Sequence, residues 1–186
     1  EVDGSTKNMR IRGNVLTESS NGYSIETSEL LYMSAEKKLY STDSVLMRGP
    51  PDKDGSGLLL NGQTLEIKIL ENKISILNSV EANKIVDQKM FKINSTSSTF
   101  SNKDKEALFY GNVRILYDNM KISSPYAEFK YSSKRNALET VEVYDDVILT
   151  DNTKTGTCRE MLINIPNDTM ILKGSPRIKM GEDEIQ

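Results

Sequence analysis

The sequence predicts an all-β protein built from many short antiparallel strands, and three observations support this. Apolar and polar residues alternate over short runs such as Val113, Ile115 and Tyr117, and side chains alternate faces along a strand. Short segments rich in Asn, Asp, Gly and Ser separate the runs, and these residues favour chain reversals. The pattern also recurs, because the Gly-Asn-Val of 13–15 returns at 111–113. The recurrence favours a stacked sheet.

Two stretches separated by a polar seam carry these strands. In the first stretch the predicted strands are 9–17, 23–27, 29–33, 39–41, 44–47, 58–60, 64–70 and 73–77. Asn21-Gly22 gives the strongest hairpin signal, and the Pro- and Gly-rich segment 48–57 is predicted to be an exposed loop. Residues 79–88 suit either a strand or one helical turn. Gly13-Asn14-Val15 is expected to continue the strand that begins at Met9.

The second stretch follows 94–105, which is polar and lacks a periodic pattern. Strands are expected at 108–117, 122–131, 147–149, 161–165, 170–172 and 177–180, with turns at 117–119, 131–136, 151–156 and 166–168 and an acidic tail from 181. The predicted organisation is therefore a first half at 1–94, a seam or linker at 95–106, and a second half at 107–186, with one continuous unit as the alternative.

A stacked sheet that does not close on itself has two consequences. Its inward side chains form an apolar trough. Its first and last strands keep backbone N–H and C=O groups that can pair with another chain.

Composition excludes several functions. The net charge is -3 and no basic block is present, which argues against nucleic acid as a partner. No apolar run approaches 18 residues, as a membrane-spanning helix would need. The chain opens on Glu1, which we interpret as a mature or excised form that lacks any anchor or signal. Cys158 stands alone and is expected to be a small inward-facing residue.

Motifs that resemble catalytic or metal sites are incomplete. The Ser34-x-x-Lys37 and Lys154-Thr155-Gly156 segments match two serine β-lactamase elements, but Ser-Asp-Asn is absent. The Asp145-Asp146 pair is expected to be a solvated turn, since adjacent strand residues face opposite sides. Asp52-x-Asp54-Gly55 lacks the remaining ligands of a calcium loop, and the chain has no His. We therefore expect no enzyme activity, no cofactor and no metal.

The order of motifs along the chain resembles a known family. Gly111-Asn112-Val113-x-Ile115, Ile122-x-Ser124-x-Tyr126-Ala127-x-Phe129, Asp146-Val147-x-Leu149 and Leu172-x-Gly174-x-Pro176 are similar to the OstA/LptA family of periplasmic lipopolysaccharide-transport proteins. In the first half, Gly13-Asn14-Val15, Tyr23-Ser24-Ile25-x-Thr27 and Gly55-x-Gly57-Leu58 are similar to the LptC family, although the membrane helix that opens LptC-like chains is absent. The resemblance covers most of the chain.

The resemblance implies an open β-jellyroll, also called a β-taco, of stacked antiparallel strands around an apolar trough. It implies a periplasmic bridge protein that carries lipopolysaccharide from the inner to the outer membrane, with the lipid A acyl chains inside. Partners would be other lipopolysaccharide-transport proteins, joined through the N- and C-terminal edge strands, and indirectly the inner-membrane ABC transporter. A missing segment would supply any inner-membrane anchor.

The candidate lipid-binding residues are the inward positions of the predicted strands. They are Val15, Ile25, Tyr32, Ile67, Ile69, Ile76, Val113, Ile115, Ile122, Phe129, Val147, Leu149, Met161 and Ile163. A closed jellyroll core would use the same alternation, so the pattern leaves both roles open. Lys68, Arg114 and Lys121 are candidates to meet lipid phosphates at the opening. The alternative function is a carbohydrate-binding or structural β-module, which the absence of Trp disfavours.

Overall fold

The computed structural model is one antiparallel sheet of fifteen strands, and it confirms the predicted all-β, open β-jellyroll fold. It describes residues 1–20, 22–51, 57–86, 88–132, 137–152 and 154–180, and the backbone of 183–185. The strands are β1 (Met9–Glu18), β2 (Ser24–Met33), β3 (Lys38–Ser41), β4 (Val45–Arg48), β5 (Leu59–Gly62), β6 (Thr64–Lys68), β7 (Lys73–Val86), β8 (Lys89–Ser101), β9 (Glu106–Tyr117), β10 (Met120–Tyr131), β11 (Leu138–Asp151), β12 (Lys154–Asn164), β13 (Thr169–Lys173), β14 (Arg177–Met180) and β15 (Asp183–Ile185).

The strands follow one another as a simple meander. Three pairs of short strands, β3 with β4, β5 with β6 and β13 with β14, are the two halves of single interrupted strands. β2 pairs with both β3 and β4, and β7 pairs with both β5 and β6. β12 likewise pairs with both β13 and β14. Each full strand therefore pairs with the next along the chain, and β1 lies at the N-terminal edge.

Every full strand is interrupted near its middle, and the interruptions line up across the sheet. In β7, β9 and β11 two extra residues adopt positive φ, namely Asn78-Ser79, Gly111-Asn112 and Asp145-Asp146. The register of the neighbouring strands shifts at the same place, because a single residue there lies opposite each two-residue pair. These single residues are Thr96 in β8, Pro125 in β10 and Arg159 in β12. A bulge bends its strand. The aligned bulges therefore form a crease across the whole sheet.

The crease divides the sheet into two leaves that face each other. Leaf A contains the half-strands 9–12, 29–33, 38–41, 64–68, 73–77, 97–101, 106–110, 126–131, 138–144, 160–164 and 169–173. Leaf B contains 15–18, 24–27, 45–48, 59–62, 80–86, 89–95, 113–117, 120–124, 147–151, 154–158 and 177–180. The apolar residues of the alternating pattern point to the inner faces of the leaves. The two leaves therefore bury these residues against each other.

The Gly-Asn-Val segments lie inside strands, as the expected strands 9–17 and 108–117 place them. Gly13 lies inside β1 and Gly111 inside β9, each at the crease and each with positive φ. Gly174 of the Leu-x-Gly-x-Pro segment has φ 75° and separates β13 from β14. Only glycine adopts such backbone freely. The repeated glycines thus mark the line along which the sheet bends.

Three local expectations also change. Most of the polar segment 95–106 is strand, because β8 continues to Ser101 and pairs with β7 and β9. Its apolar alternation was hidden because Ser98 occupies an inward position beside Phe100. Residues 79–86 are strand rather than a helical turn. The strand expected at 64–70 ends at Lys68, where residues Ile69–Glu71 form a short 3-10 turn. The division into two halves stays a prediction.

Parts of several sequence-based expectations lie outside the described residues. These are Asn21 of the hairpin turn, 52–56 of the Pro- and Gly-rich loop with the calcium-like segment and Gly55, residue 87 of the segment 79–88, 133–136 of the turn after β10, residue 153 of the turn after β11, and 181, 182 and 186 of the acidic tail. Among the described residues, no helix is long and apolar enough to cross a bilayer.

The crease predicts a graded response to adding a methyl group at three glycines. Gly111→Ala should be the most destabilising, because φ is 73° and the new Cβ would lie 2.7 Å from the Thr96 Oγ1 atom. Gly13→Ala has φ 107° but open space, so it should cost only backbone strain of about 1–3 kcal/mol. Gly4→Ala meets nothing within 4 Å and should change the free energy of unfolding by less than about 0.5 kcal/mol. Urea unfolding measures all three, and equal effects at Gly111 and Gly4 would contradict the role of the crease.

Candidate functional site

The inner faces of the two leaves form the candidate site, and most residues chosen from the sequence lie there. Ten of the fourteen are less than a tenth exposed, namely Val15, Ile25, Ile76, Val113, Ile115, Ile122, Phe129, Val147, Met161 and Ile163. Ile67 and Leu149 are partly buried and pack against this cluster. Tyr32 is half-buried in β2. Ile69 lies in the 3-10 turn with 42% of its side chain exposed, so it does not reach the interior.

Sequence reasoning missed a large part of the interior. The largest omissions are fully buried side chains: Met47, Leu60, Leu65, Val80, Val86, Phe91 and Phe109. Phe91 and Ile93 alternate at the start of β8, just before the segment expected to be a seam. Reading that alternation through Ser95 and Ser98 would have extended the trough across the middle of the chain.

An aromatic cluster joins the two leaves. Phe91 of leaf B stacks on Tyr117 of the same leaf, with ring centroids 4.0 Å apart. Across the interior its ring meets Phe129 of leaf A edge-on at 6.2 Å. Phe129 meets Phe109 at 5.2 Å, and Phe109 meets Phe100 at 6.0 Å. The leaves are therefore held together by apolar and aromatic contacts.

A second contact closes the interior close to the crease. The Thr27 and Ser41 hydroxyls, one on each leaf, lie 3.0 Å apart and are buried. Cys158 is also buried on the inner face, and burial raises the pKa of its thiol. This environment agrees with the small inward-facing role expected for it.

The interior has a narrow opening opposite the crease, which we call the mouth. It is a cavity of about 210 Å³ between the turn at 19–23 of leaf B and the ends of several leaf A strands. Its lining includes Tyr23, Ile67, Ile69, Ile74, Phe100 and Tyr131. Burial raises the pKa of the Tyr23 hydroxyl. The volume of the mouth is below the range of about 300–1,000 Å³ typical of small-molecule pockets, so a larger apolar ligand that enters at the mouth needs the leaves to separate there.

The three cations proposed from the sequence occupy different places. Lys68 lines the mouth, and its Nζ lies 3.6 Å from Glu71 Oε1. Arg114 is exposed in β9 two residues from the crease, and Lys121 is exposed at the other end of leaf B. Only Lys68 therefore stands where the interior opens. The Asp145-Asp146 pair lies in the β11 bulge rather than in a turn between strands.

Two carboxylates on leaf A have pKa values displaced in opposite directions. Desolvation, followed by the charges of Glu128 and Asp104, raises the pKa of Glu106, which lines the mouth. The hydrogen bond from the Tyr144 hydroxyl and the ammonium of Lys130 lower the pKa of Glu142 on the outer face. Among the described residues no three His, Cys, Asp or Glu side chains cluster as metal ligands.

Comparison with known proteins identifies one match. Residues 92–186 match the family model described as LptA/(LptD N-terminal domain) LPS transport protein. The matched stretch begins at Lys92 in β8, ends at Gln186 and is slightly more than half of the chain. No curated protein matches the sequence significantly. The resemblance of residues 1–94 to the LptC family lies outside this match and stays a prediction.

The two displaced carboxylates predict opposite effects of the same substitution. Glu106→Gln should stabilise the fold at pH 7. Because the pKa of Glu106 is raised in the folded state, its carboxyl stabilises the fold only while it is protonated, below about pH 4, and this contribution disappears as the pH rises. Glu142→Gln should destabilise at pH 7, because a lowered folded pKa contributes stability that disappears as the pH falls. Each change should be below about 1 kcal/mol, since both groups are largely solvated. Urea unfolding at pH 7 and pH 4 tests this, and effects of the same sign at pH 7 would contradict it.

Proposed function

Because this chain belongs to the LptA/(LptD N-terminal domain) family of LPS transport proteins, we propose that it binds lipopolysaccharide by taking the acyl chains between its two leaves. It would act in the periplasm as a bridge that passes the lipid from the inner to the outer membrane. The observation that carries the proposal is the continuous apolar inner face of both leaves. The sugars and phosphates would stay in water outside the leaves.

The proposed binding replaces contacts between the two inner faces by contacts between each inner face and the acyl chains, and the burial of acyl chains favours this replacement. In the closed state the inner faces bury their side chains against each other, as Phe91 and Phe129 do. Each methylene of an acyl chain that leaves water contributes about 0.8 kcal/mol, so one long chain offsets the loss of several side-chain contacts. The leaves are covalently continuous at the crease. They can therefore separate at the mouth without breaking the ladder of hydrogen bonds along either leaf.

The two edges of the sheet support assembly in a row. β1 pairs with β2 on one side, and on its other side, within the described part of the chain, only Glu1 and Val2 bond to its first residues, Met9 and Arg10. The C-terminal edge is made by β13 and β15. Edge strands offer unpaired backbone groups to a further strand. We propose that other lipopolysaccharide-transport proteins, and through them the inner-membrane ABC transporter, connect at these edges, so that the inner faces of successive proteins form one path.

A carbohydrate-binding module is the second candidate, and one observation favours it. Tyr110, Tyr126 and Tyr144 form a row on the outer face of leaf A, with ring centroids 5.1 and 5.3 Å apart. Aromatic rows with nearby carboxylates suit sugars, and Glu128 and Glu142 accompany this one. The rings mainly cover one another, however, and only Tyr110 is as much as 39% exposed. We therefore place lipid binding first.

Native mass spectrometry of the protein with purified lipopolysaccharide tests the two candidates directly. A soluble sugar polymer without acyl chains serves as the control ligand. A lipid adduct that survives high salt would support binding between the leaves, because apolar contacts do not weaken with ionic strength. Binding of the sugar polymer alone would favour the carbohydrate module instead.

A charge placed between the leaves should abolish lipid binding. Ile115→Asp and Phe129→Asp put a carboxylate on the inner face, where an unpaired charge is costly beside an acyl chain. Leu116→Asp is the matched control, because Leu116 is the neighbour of Ile115, faces outward and is 37% exposed. We expect at least a tenfold loss of lipopolysaccharide adduct for the inner variants and no change for the control.

Folding must be separated from binding in that test. Val113→Thr keeps the side-chain shape and adds only one hydroxyl to the inner face, so its fold is easier to retain. Circular dichroism and urea unfolding identify which variants remain folded. Normal lipid binding by a folded Ile115→Asp protein would overturn the assignment of the inner face.

A further inference from the structure

The outer face of leaf B brings together cations that are far apart in the sequence. Directly paired residues of an antiparallel sheet lie on the same face, so the register defines two outward rows that cross the strands from β8 to β14. The row nearer the crease is Asn94, Arg114, Ser123, Ile148, Thr157 and Arg177. The row farther from the crease is Lys92, Leu116, Lys121, Thr150, Thr155 and Lys179.

These two rows contain five cations and no acid. All five cations are exposed, and none lies within ion-pair distance of a carboxylate in the part of the chain that the structure describes. The acids Asp118 and Asp146 stand only at the borders of the face, in the turn after β9 and in the β11 bulge. The outer face of leaf B is therefore a positively charged surface on a chain whose net charge is -3.

The outer face of leaf A is built differently. There the Nζ of Lys130 lies 3.3 Å from a carboxylate oxygen of Glu128 and 2.9 Å from one of Glu142. Charge on leaf A is thus neutralised between neighbouring strands. On leaf B the cations have no such partners, so an outside anionic surface can meet them without breaking an ion pair.

Large apolar side chains stand among the cations of leaf B. Leu116 lies between Lys92 and Lys121 in its row and is 37% exposed. Ile148 of the other row is 46% exposed, and Met90, which precedes that face on β8, is 49% exposed. Cations interspersed with exposed apolar side chains are typical of surfaces that rest on anionic bilayers. Lipid phosphates attract the cations, and the apolar side chains enter the boundary between headgroups and acyl chains.

The size of the face favours an extended partner. Neighbouring strands lie about 4.8 Å apart, so the rows from β8 to β14 are about 24 Å long. A small anion can meet only one or two of these cations, whereas a planar anionic surface can meet all of them. A soluble anionic polymer could follow one row, but it gives the exposed apolar side chains no role. The ordinary explanation, surface lysines and arginines that keep a sheet solvated, does not account for the lack of carboxylates between them.

We propose that the outer face of leaf B docks on a bilayer surface that carries anionic phospholipids. The inference goes beyond the proposed function, because acyl chains enter between the leaves and docking uses the opposite face of the same strands. The mouth lies at the end of the leaves opposite the crease, so docking holds it beside the membrane surface. The stacking direction of the strands then runs along the membrane. Docking is therefore a state separate from the edge-to-edge row.

The test measures flotation of the protein with vesicles that contain no lipopolysaccharide. One vesicle is made of equal parts phosphatidylcholine and phosphatidylglycerol, and the other of phosphatidylcholine alone. The face variant combines Arg114→Gln, Lys121→Gln and Arg177→Gln. The control variant removes the same charge from exposed positions on leaf A and its turns, and it combines Lys37→Gln, Lys103→Gln and Lys173→Gln. Urea unfolding verifies that both variants are folded.

The wild type should bind the anionic vesicles and not the neutral ones, and binding should weaken as the ionic strength rises. The face variant should bind anionic vesicles at least about tenfold more weakly, because each cation near an anionic surface contributes roughly fivefold to the affinity. The control variant should stay within about twofold of the wild type. Ile148→Ser, which keeps the charge, should also weaken binding to vesicles and leave any binding to dextran sulfate unchanged.

Four outcomes would overturn the inference. Equal binding to both vesicles would show uptake of acyl chains whatever the headgroup, and equal weakening of the two triple variants would show attraction by net charge alone. Binding of dextran sulfate as tightly as anionic vesicles, with Ile148→Ser unaffected in both, would show a site for an anionic polymer. Absence of wild-type binding to either vesicle would overturn docking and leave the proposed function intact, since lipopolysaccharide binding is measured separately.

Discussion

The crease is the constraint on which the rest of the structure depends. At alternate strands two residues with positive φ stand against one residue of the neighbour, and the offset repeats from β7 to β12. A continuous flat sheet with this alternation would leave one apolar face in water. Bending every strand at the same level places the two halves of that face against each other. The bulges thereby create the interior without any helix or second sheet.

The interior made in this way is closed by weak, interchangeable contacts. Edge-on aromatic pairs such as Phe91 and Phe129 contribute about 0.5–1.5 kcal/mol beyond the area they bury. The strong, directional bonds lie within each leaf, as strand ladders. An acyl chain offers the inner faces the same kind of contact that they make with each other. The fold therefore suits a ligand that is apolar and variable in shape, in agreement with the lipid binding that we propose.

Charge is distributed in keeping with that role. The ion pairs formed by Lys130 with Glu128 and Glu142, and by Lys38 with Glu66, lie on side chains that are 14–45% exposed. The buried polar residues of the described chain are otherwise Ser and Thr, which can bond to nearby backbone as Ser95 and Ser124 do. Lys84 departs from this pattern, and it has an interaction of its own within the chain.

The sequence by itself determined the fold class and ten of the inner-face residues, because side-chain alternation along a strand is a local property that survives any arrangement of strands. It also singled out the glycines of 13, 111 and 174, as parts of the motifs that resemble the family. Only the tertiary structure decided that these glycines lie on one crease, since the alignment of bulges depends on the register between strands that are far apart in sequence. The same holds for Phe91, which contacts Phe129 of the facing leaf, and for Ile69, which a short 3-10 turn places at the mouth instead of in the interior.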